Sequence, residues 1–144
     1  MAELLLIARL AGRRIAFPAS QVEAVVELEG ISPVPGAAPH VAGLSALRSR
    51  VLTVIDAVAA LEFGRSEAGA PRDALVVPSG GHTYALVVDE VEDVVEADGQ
   101  PAPAQAPLGA GWDRVAIGTV LAGPDLLLLV DPHLLIAGPA AQAA

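Results

Sequence analysis

An all-β fold built from two small barrels side by side is what this 144-residue chain predicts. Three features carry that prediction: the same pattern occurs twice, short apolar segments recur at regular intervals between turn-forming residues, and long helical segments are few. Residues 6–27 and 75–96 align without a gap, with Leu6/Leu75, Gly12/Gly81, Ala16/Ala85, Val22/Val91, Glu23/Glu92, Val25/Val94, Val26/Val95 and Glu27/Glu96 identical. A second correspondence, at a longer spacing, matches Val51-Leu52-Thr53-Val54-Ile55-Asp56 with Leu126-Leu127-Leu128-Leu129-Val130-Asp131, and Gly43 with Gly118. The extra residues fall in the Pro/Ala/Gly stretch from Gly99 to Gly111, where loop length is tolerated most easily. Half a chain of this size buries too little surface to be stable, so the repeats are expected to pack on each other through an apolar interface. A composition 53% hydrophobic and only 17% charged agrees.

Each element has a local cause. Leu4 to Leu10 predicts a strand, and Ala11-Gly12-Arg13 the turn into a second strand from Arg14 to Phe17. The repeat copies this hairpin as Ala74 to Val77, the Pro78-Ser79-Gly80-Gly81 turn, and Tyr84 to Val88. Val22 to Leu28 and Val91 to Glu96 mix acidic and apolar residues, as half-exposed strands do. Val51 to Ile55 and Leu126 to Val130 are almost wholly apolar and predict buried central strands. Each ends in an Asp that suits a helix N-cap, Asp56 before Ala57-Val58-Ala59-Ala60-Leu61 and Asp131 before Pro132 at the first helical position. One domain over 1–144 is expected, with sub-barrels near 1–66 and 73–136, a linker at 64–72, a long loop at 99–111 and a flexible tail at 138–144.

Several function classes are argued against. The longest apolar runs, Leu4 to Ala8 and Leu126 to Val130, are about a quarter of a bilayer-spanning length, and the N-terminus lacks a basic region before its short apolar run. Direct membrane insertion is therefore not expected, and a cytoplasmic location is. The chain has no Cys, which removes disulfides, thiol catalysis and thiolate metal sites. Net charge is −9 and all eight basic residues are Arg, so no clustered basic face for nucleic acid is expected. Arg13/Arg14 and Arg48/Arg50 are the only local basic clusters, and the first pair reads as a solvated hairpin tip.

Asp56 and Asp131 raise the possibility of a symmetric carboxylate dyad, in which two carboxyls share one proton. Their contexts, Asp-Ala-Val and Asp-Pro-His, are not the Asp-Thr-Gly or Asp-Ser-Gly turn of an acid protease, and the N-cap reading is preferred. His40, His82 and His133 lack ligand spacing, so no metal is expected. No phosphate loop, nucleophile elbow or dinucleotide fingerprint is present, and no cofactor is expected. With no nucleophile beside a base, the expected role is binding rather than catalysis. Apolar positions at Val22/Val25 and Val91/Val94 are the candidate adaptor patches.

The ordered segments also resemble a known family. Arg14-Ile15-Ala16-Phe17, Val22-x-x-Val25, the run from Gly43 to Asp56 and Ala85-Leu86-Val87-Val88-Asp89-Glu90-Val91 resemble the CheW-like coupling domain of bacterial chemotaxis, over about Glu3 to Ile136. Gly43, Leu47, Arg48 and Asp56 represent its Gly-x-x-Asn-Leu-Arg-Gly-x-x-x-Pro-x-x-Asp pattern, and Val87, Val88, Asp89, Val91 and Val94 complete its Val-Val-Asp-x-Val-x-x-Val signature. Ala46, Ser49 and Thr53 replace the pattern's Asn, Gly and Pro, Ala57-Val58 replaces Leu-Arg, and Ala24 replaces an acidic residue.

The resemblance implies two pseudo-repeated five-stranded SH3-like barrels packed through a hydrophobic interface, with short helices. It implies a non-catalytic scaffold coupling chemoreceptor cytoplasmic tips to a CheA-type histidine kinase, recruited to membrane receptor arrays. Contacts are then expected at Val22, Val25, Gly43, Leu47, Arg48, Val91 and Val94, with Arg48 carrying receptor coupling. An adaptor of a pilus, development or biofilm pathway is the alternative, and a hydrolase using Asp56 and Asp131 a more distant one.

Overall fold

The computed structural model describes residues 3–66, 72–104 and 107–139. Among the described residues ten strands form two five-stranded curled sheets. The first half contributes β1 (Leu4–Leu10), β2 (Arg13–Pro18), β3 (Ala24–Leu28), β4 (Val41–Leu47) and β5 (Arg50–Asp56); the second contributes β6 (Arg72–Ser79), β7 (His82–Val87), β8 (Glu90–Glu96), β9 (Ala116–Ala122) and β10 (Asp125–Val130). Helices α1 (Ala57–Ala60), α2 (Ala110–Val115) and α3 (Pro132–Ala137) complete the set, with a 3-10 turn at Ala19–Gln21. The expected linker lies partly, and the expected tail mostly, outside the described residues.

The sheets do not follow the expected boundaries 1–66 and 73–136. Barrel A has the order β8-β1-β2-β10-β9 and barrel B the order β3-β6-β7-β5-β4. Each half therefore lends its first hairpin to the other half's barrel: β1–β2 sits between β8 and β10, and β6–β7 between β3 and β5. Barrel B is the contiguous stretch 24–87, and barrel A is assembled from both ends of the chain. A duplicated sequence reads the same whichever partner a hairpin joins, so the repeat alone gave no sign of the exchange.

Burial on both faces explains the almost continuous apolar strands. Along β1, Leu5 and Ile7 face the interior of barrel A while Leu6, Ala8 and Leu10 face a core shared with barrel B. Along β6, Ala74 and Val76 face the interior of barrel B while Leu75 and Val77 join the shared core. Ile15, Phe17, Ile55, Leu86, Leu128 and Val130 complete that interface, each buried, and Leu61 at the end of α1 closes it with Leu135 and Ile136 of α3. At about 1.5–3 kcal/mol for each large apolar side chain buried, this shared core is a principal source of stability.

Two-residue turns set the hairpin registers. Ala11-Gly12 and Gly80-Gly81 both run at positive φ, the conformation whose twist suits adjoining strands. Strands β4 and β9 and helix α2 have no counterpart among the locally predicted elements, because Gly43 and Gly118 interrupt the strand pattern and α2 lies at the end of the glycine-flanked loop. Those glycines sit where each barrel closes. The isolated bridges Ser32↔Leu44 and Ala102↔Thr119 join the segment after β3 to β4 and the segment after β8 to β9. A Cβ on Gly43 would strike the Ser32 carbonyl, and one on Gly118 the Ala102 carbonyl.

Candidate functional site

The carboxylates first read as a possible dyad serve their own helices. Asp56 Oδ1 accepts from Val58 N at 3.1 Å, Ala59 N at 3.3 Å and the Ser66 hydroxyl at 2.6 Å, while Oδ2 accepts from Ser66 N at 2.9 Å. Asp131 Oδ1 accepts from His133 N at 2.9 Å. The cap expectation holds at both sites, and Asp56 does more, tying the chain after α1 back onto its N-terminus. The histidines are likewise engaged: buried His40 donates from Nε2 to the Ile136 carbonyl at 2.9 Å, and His133 lies 3.1 Å from Ser79 Oγ and 2.7 Å from Gln21 Oε1. Among the described residues, no three or more His, Cys, Asp and Glu gather where a metal would sit.

The Arg13/Arg14 pair is not a free hairpin tip. Arg14 donates from Nε to Glu92 Oε1 at 2.7 Å and from Nη1 to Asp125 Oδ2 at 2.8 Å, and Arg9 donates to Glu92 Oε2 at 3.1 Å. Arg9 and Arg14 are direct cross-strand partners, a like-charge pairing that opposes the sheet unless compensated. Glu92 on β8 and Asp125 on β10 supply that compensation, so one charge ladder crosses four strands. The bond from Arg14 holds the Glu92 carboxyl below its ordinary range against an opposing desolvation, with Arg9 adding to the effect. The same pairing raises Arg14. Arg13 lies over Trp112, 5.1 Å from the ring centroid, and Phe63 packs on the same ring at 6.0 Å.

The two barrel mouths, equivalent by repeat, differ in chemistry. In barrel A the β9–β10 turn is tied down: Gly123 N donates to Asp98 Oδ2 at 2.6 Å and Asp98 N donates to the Leu121 carbonyl at 2.8 Å. In barrel B the equivalent β4–β5 turn is Arg48-Ser49, both residues at positive φ without being glycine. Between that turn and β3 lies a groove of about 80 Å³, whose apolar lining is Ala24, Val26, Leu47, Leu52 and Val76. Its charged lining residues are Glu23, Arg48 and Arg50, all exposed. Arg50 is engaged, with Nη1 on Glu23 Oε2 at 2.9 Å and Nη2 on Thr83 Oγ1 at 3.0 Å. Among the described residues Arg48 has neither a hydrogen bond nor an ion pair.

The residues singled out from sequence do not form one surface. Leu47 and Arg48 meet at the barrel B groove, joined there by Ala24. Val25 and Val94, 46% and 50% exposed, stand on strands β3 and β8 of different barrels. Val22 and Val91 are half-buried against the shared core, and Gly43 is a closure glycine. Their packing roles follow from position alone.

Other exposed apolar residues were hidden inside the runs read as buried. Val51 and Leu126, each second in its strand, β5 and β10, are 67% and 65% exposed and pair across their hairpins with Ala46 and Leu121. Leu44 in barrel B and Ile117 and Leu121 in barrel A extend these two apolar ends. The matched positions Val51 and Leu126 are the signal that points to them, since a repeat places both at equivalent hairpin ends.

Comparison with known proteins agrees with this architecture. The family model for the CheW-like domain matches residues 4–139. No curated protein sequence matches the chain. The fold is similar to the crystal structure of scaffolding protein TtCheW from Thermoanaerobacter tengcongensis, with a TM-score of 0.80 over 94% of this chain and 92% of that one. Sequence identity is 20%, so the likeness is one of fold. Because the family match spans both barrels and the hairpins they exchange, the chain belongs to the CheW-like domain family of chemotaxis coupling adaptors.

Proposed function

We propose that this protein is a non-catalytic cytoplasmic adaptor that links chemoreceptor cytoplasmic tips to the regulatory domain of a CheA-type histidine kinase. The observation that carries the reading is the pair of equivalent apolar hairpin ends, Leu44/Val51 on barrel B and Ile117/Leu121/Leu126 on barrel A, on a chain of this family. Two such ends allow one molecule to hold two partners at once. Exposed apolar residues grouped at the ends of a rigid scaffold suit protein contacts, where burial of a few central side chains supplies most of the affinity. Val25, Val94 and the Leu47/Arg48 groove are the remaining contact candidates, with Arg48 assigned to the receptor. No helix among the described residues is long and apolar enough to cross a membrane, so recruitment to receptor arrays would run through these protein contacts.

Co-purification with a candidate kinase regulatory domain and a receptor tip fragment tests the reading. Val51→Glu and Leu126→Glu should each weaken one partnership at least tenfold while leaving thermal stability near wild type, because both side chains are already in water. Arg48→Ala should lose receptor coupling and keep kinase binding. If both glutamate variants bind both partners as wild type does, the barrel ends are not the interfaces. Retained coupling by Arg48→Ala would remove Arg48 from the receptor surface.

A further inference from the structure

We propose that Ser79 is an activated hydroxyl that takes an acyl group from a small activated ester, with His133 as its base and Gln21 as the residue that positions the base. Along the sequence no nucleophile stands beside a base, but the fold brings one pair together from three distant segments. Ser79 ends β6, Gln21 ends the 3-10 turn between β2 and β3, and His133 is the second residue of α3. His133 Nδ1 lies 3.1 Å from Ser79 Oγ, and its Nε2 lies 2.7 Å from Gln21 Oε1. Ser79 and His133 are half-buried and Gln21 is exposed, so a small reagent has access to the hydroxyl.

The roles of the three groups follow from their chemistry. An amide oxygen only accepts, so Nε2 carries the ring proton and donates it to Gln21. In the neutral ring Nδ1 is then the acceptor, and the Ser79 hydroxyl donates to it. A hydroxyl on a base that a third group orients is the arrangement of an activated nucleophile. Ser45 and Ser66 are spent otherwise: the first donates to the Gly30 carbonyl, and the second to Asp56, whose carboxylate already holds the amides of Val58, Ala59 and Ser66. Gly80 and Gly81 directly follow Ser79 and are exposed, and among the described residues their amides donate to no acceptor. They leave free N–H groups beside the place where negative charge gathers on an attacked carbonyl. In the step itself Ser79 Oγ bonds to the acyl carbon as its proton passes to His133 Nδ1. The tetrahedral adduct then collapses, the bond to the leaving oxygen breaks, that oxygen departs with the proton from His133, and the acyl group stays on Ser79. The event is stoichiometric, and it neither needs nor disturbs the adaptor reading above.

The test treats the whole protein with para-nitrophenyl acetate. The chain has no Lys and no Cys, so the amine and thiol side chains that most readily take up an acyl group are absent. One equivalent of nitrophenol should be released, and mass spectrometry of the intact and digested protein should find a single acetyl group on Ser79. Ser79→Ala should lose the adduct, and His133→Ala should slow its formation at least about tenfold. Gln21→Glu should speed it, because a carboxylate on Nε2 stabilises the positive charge the ring gains, whereas Gln21→Leu should slow it. A merely structural clasp predicts no such order between the two Gln21 variants. Gln21 is exposed, so these two carry the test even where His133→Ala disturbs α3. Absence of an adduct, acetylation only at the N-terminal amine or at His82 across the hairpin, or a rate that ignores Gln21→Glu overturns the proposal.

Discussion

Single residues show how one side chain type takes different duties in the two repeats. Asp56 and Asp131 both cap helices, but Asp56 is buried and also holds Ser66 by backbone and hydroxyl. Loss of an N-cap costs about 0.5–2 kcal/mol. Asp131→Ala should fall in the middle of that range and Asp56→Ala at or above its top, since the second substitution also leaves the Ser66 hydroxyl without its acceptor. Urea denaturation of the two variants checks the order, and equal losses would show that the Ser66 bonds contribute nothing. Ser49 is a second instance. At φ 69 it carries roughly 1–2 kcal/mol of left-handed strain. Ser49→Gly removes that strain and gives back about 0.4–1 kcal/mol of unfolded-state freedom. A net gain of about 0.5–1 kcal/mol is expected, visible as a rise in Tm of a few degrees.

At the scale of elements, the barrel A sheet is bound by a ladder of charges across β8, β1, β2 and β10 in addition to its backbone bonds. Glu92 links the ladder's two arginines and gives it a pH dependence. Its carboxyl is held below the ordinary value of 4.5, chiefly by Arg14, so the folded state binds that proton less readily than the unfolded chain does. The stabilisation is therefore fully present above the ordinary value and is lost as pH falls through the folded value. Stability measured from pH 7 down to pH 3 should show an acid limb that Glu92→Gln makes shallower, with the variant already less stable at pH 7. An acid limb unchanged in the variant would place the titration elsewhere. High salt should weaken this ladder, because Arg9, Arg14 and Asp125 are 52%, 41% and 48% exposed and ion pairs in water are screened.

For the whole molecule, the exchange of hairpins decides what can fold. A fragment ending at Gly69 keeps the pairings β1–β2 and β4–β5 but removes β6 from β3, β7 from β5, β8 from β1 and β10 from β2. It also exposes the shared core on Leu6, Phe17 and Ile55. The fragment should show no cooperative thermal transition and no dispersed amide spectrum, and adding the fragment 70–144 should restore both. A sharp transition in the first fragment alone would contradict the exchange. The two barrels bury their inner faces against each other, and Val51 and Leu126 stay exposed at matched positions on the outside, as Val25 and Val94 do.

Features that depend on neighbours along the chain were readable before any coordinates. The duplication, the strand positions, both helix caps and the family pattern were legible because alternation, capping and turn chemistry are local. The glycine-interrupted strands β4 and β9 were not, because Gly43 and Gly118 answer to a carbonyl brought against them from another segment. Arg14 shows the same limit. Read alone it is a solvated turn residue, yet Glu92 and Asp125, far away in sequence, make it the centre of a ladder. Which hairpin joins which barrel is settled in three dimensions, because two repeats of the same pattern offer equivalent local pairings and the choice between them is made by the core they share.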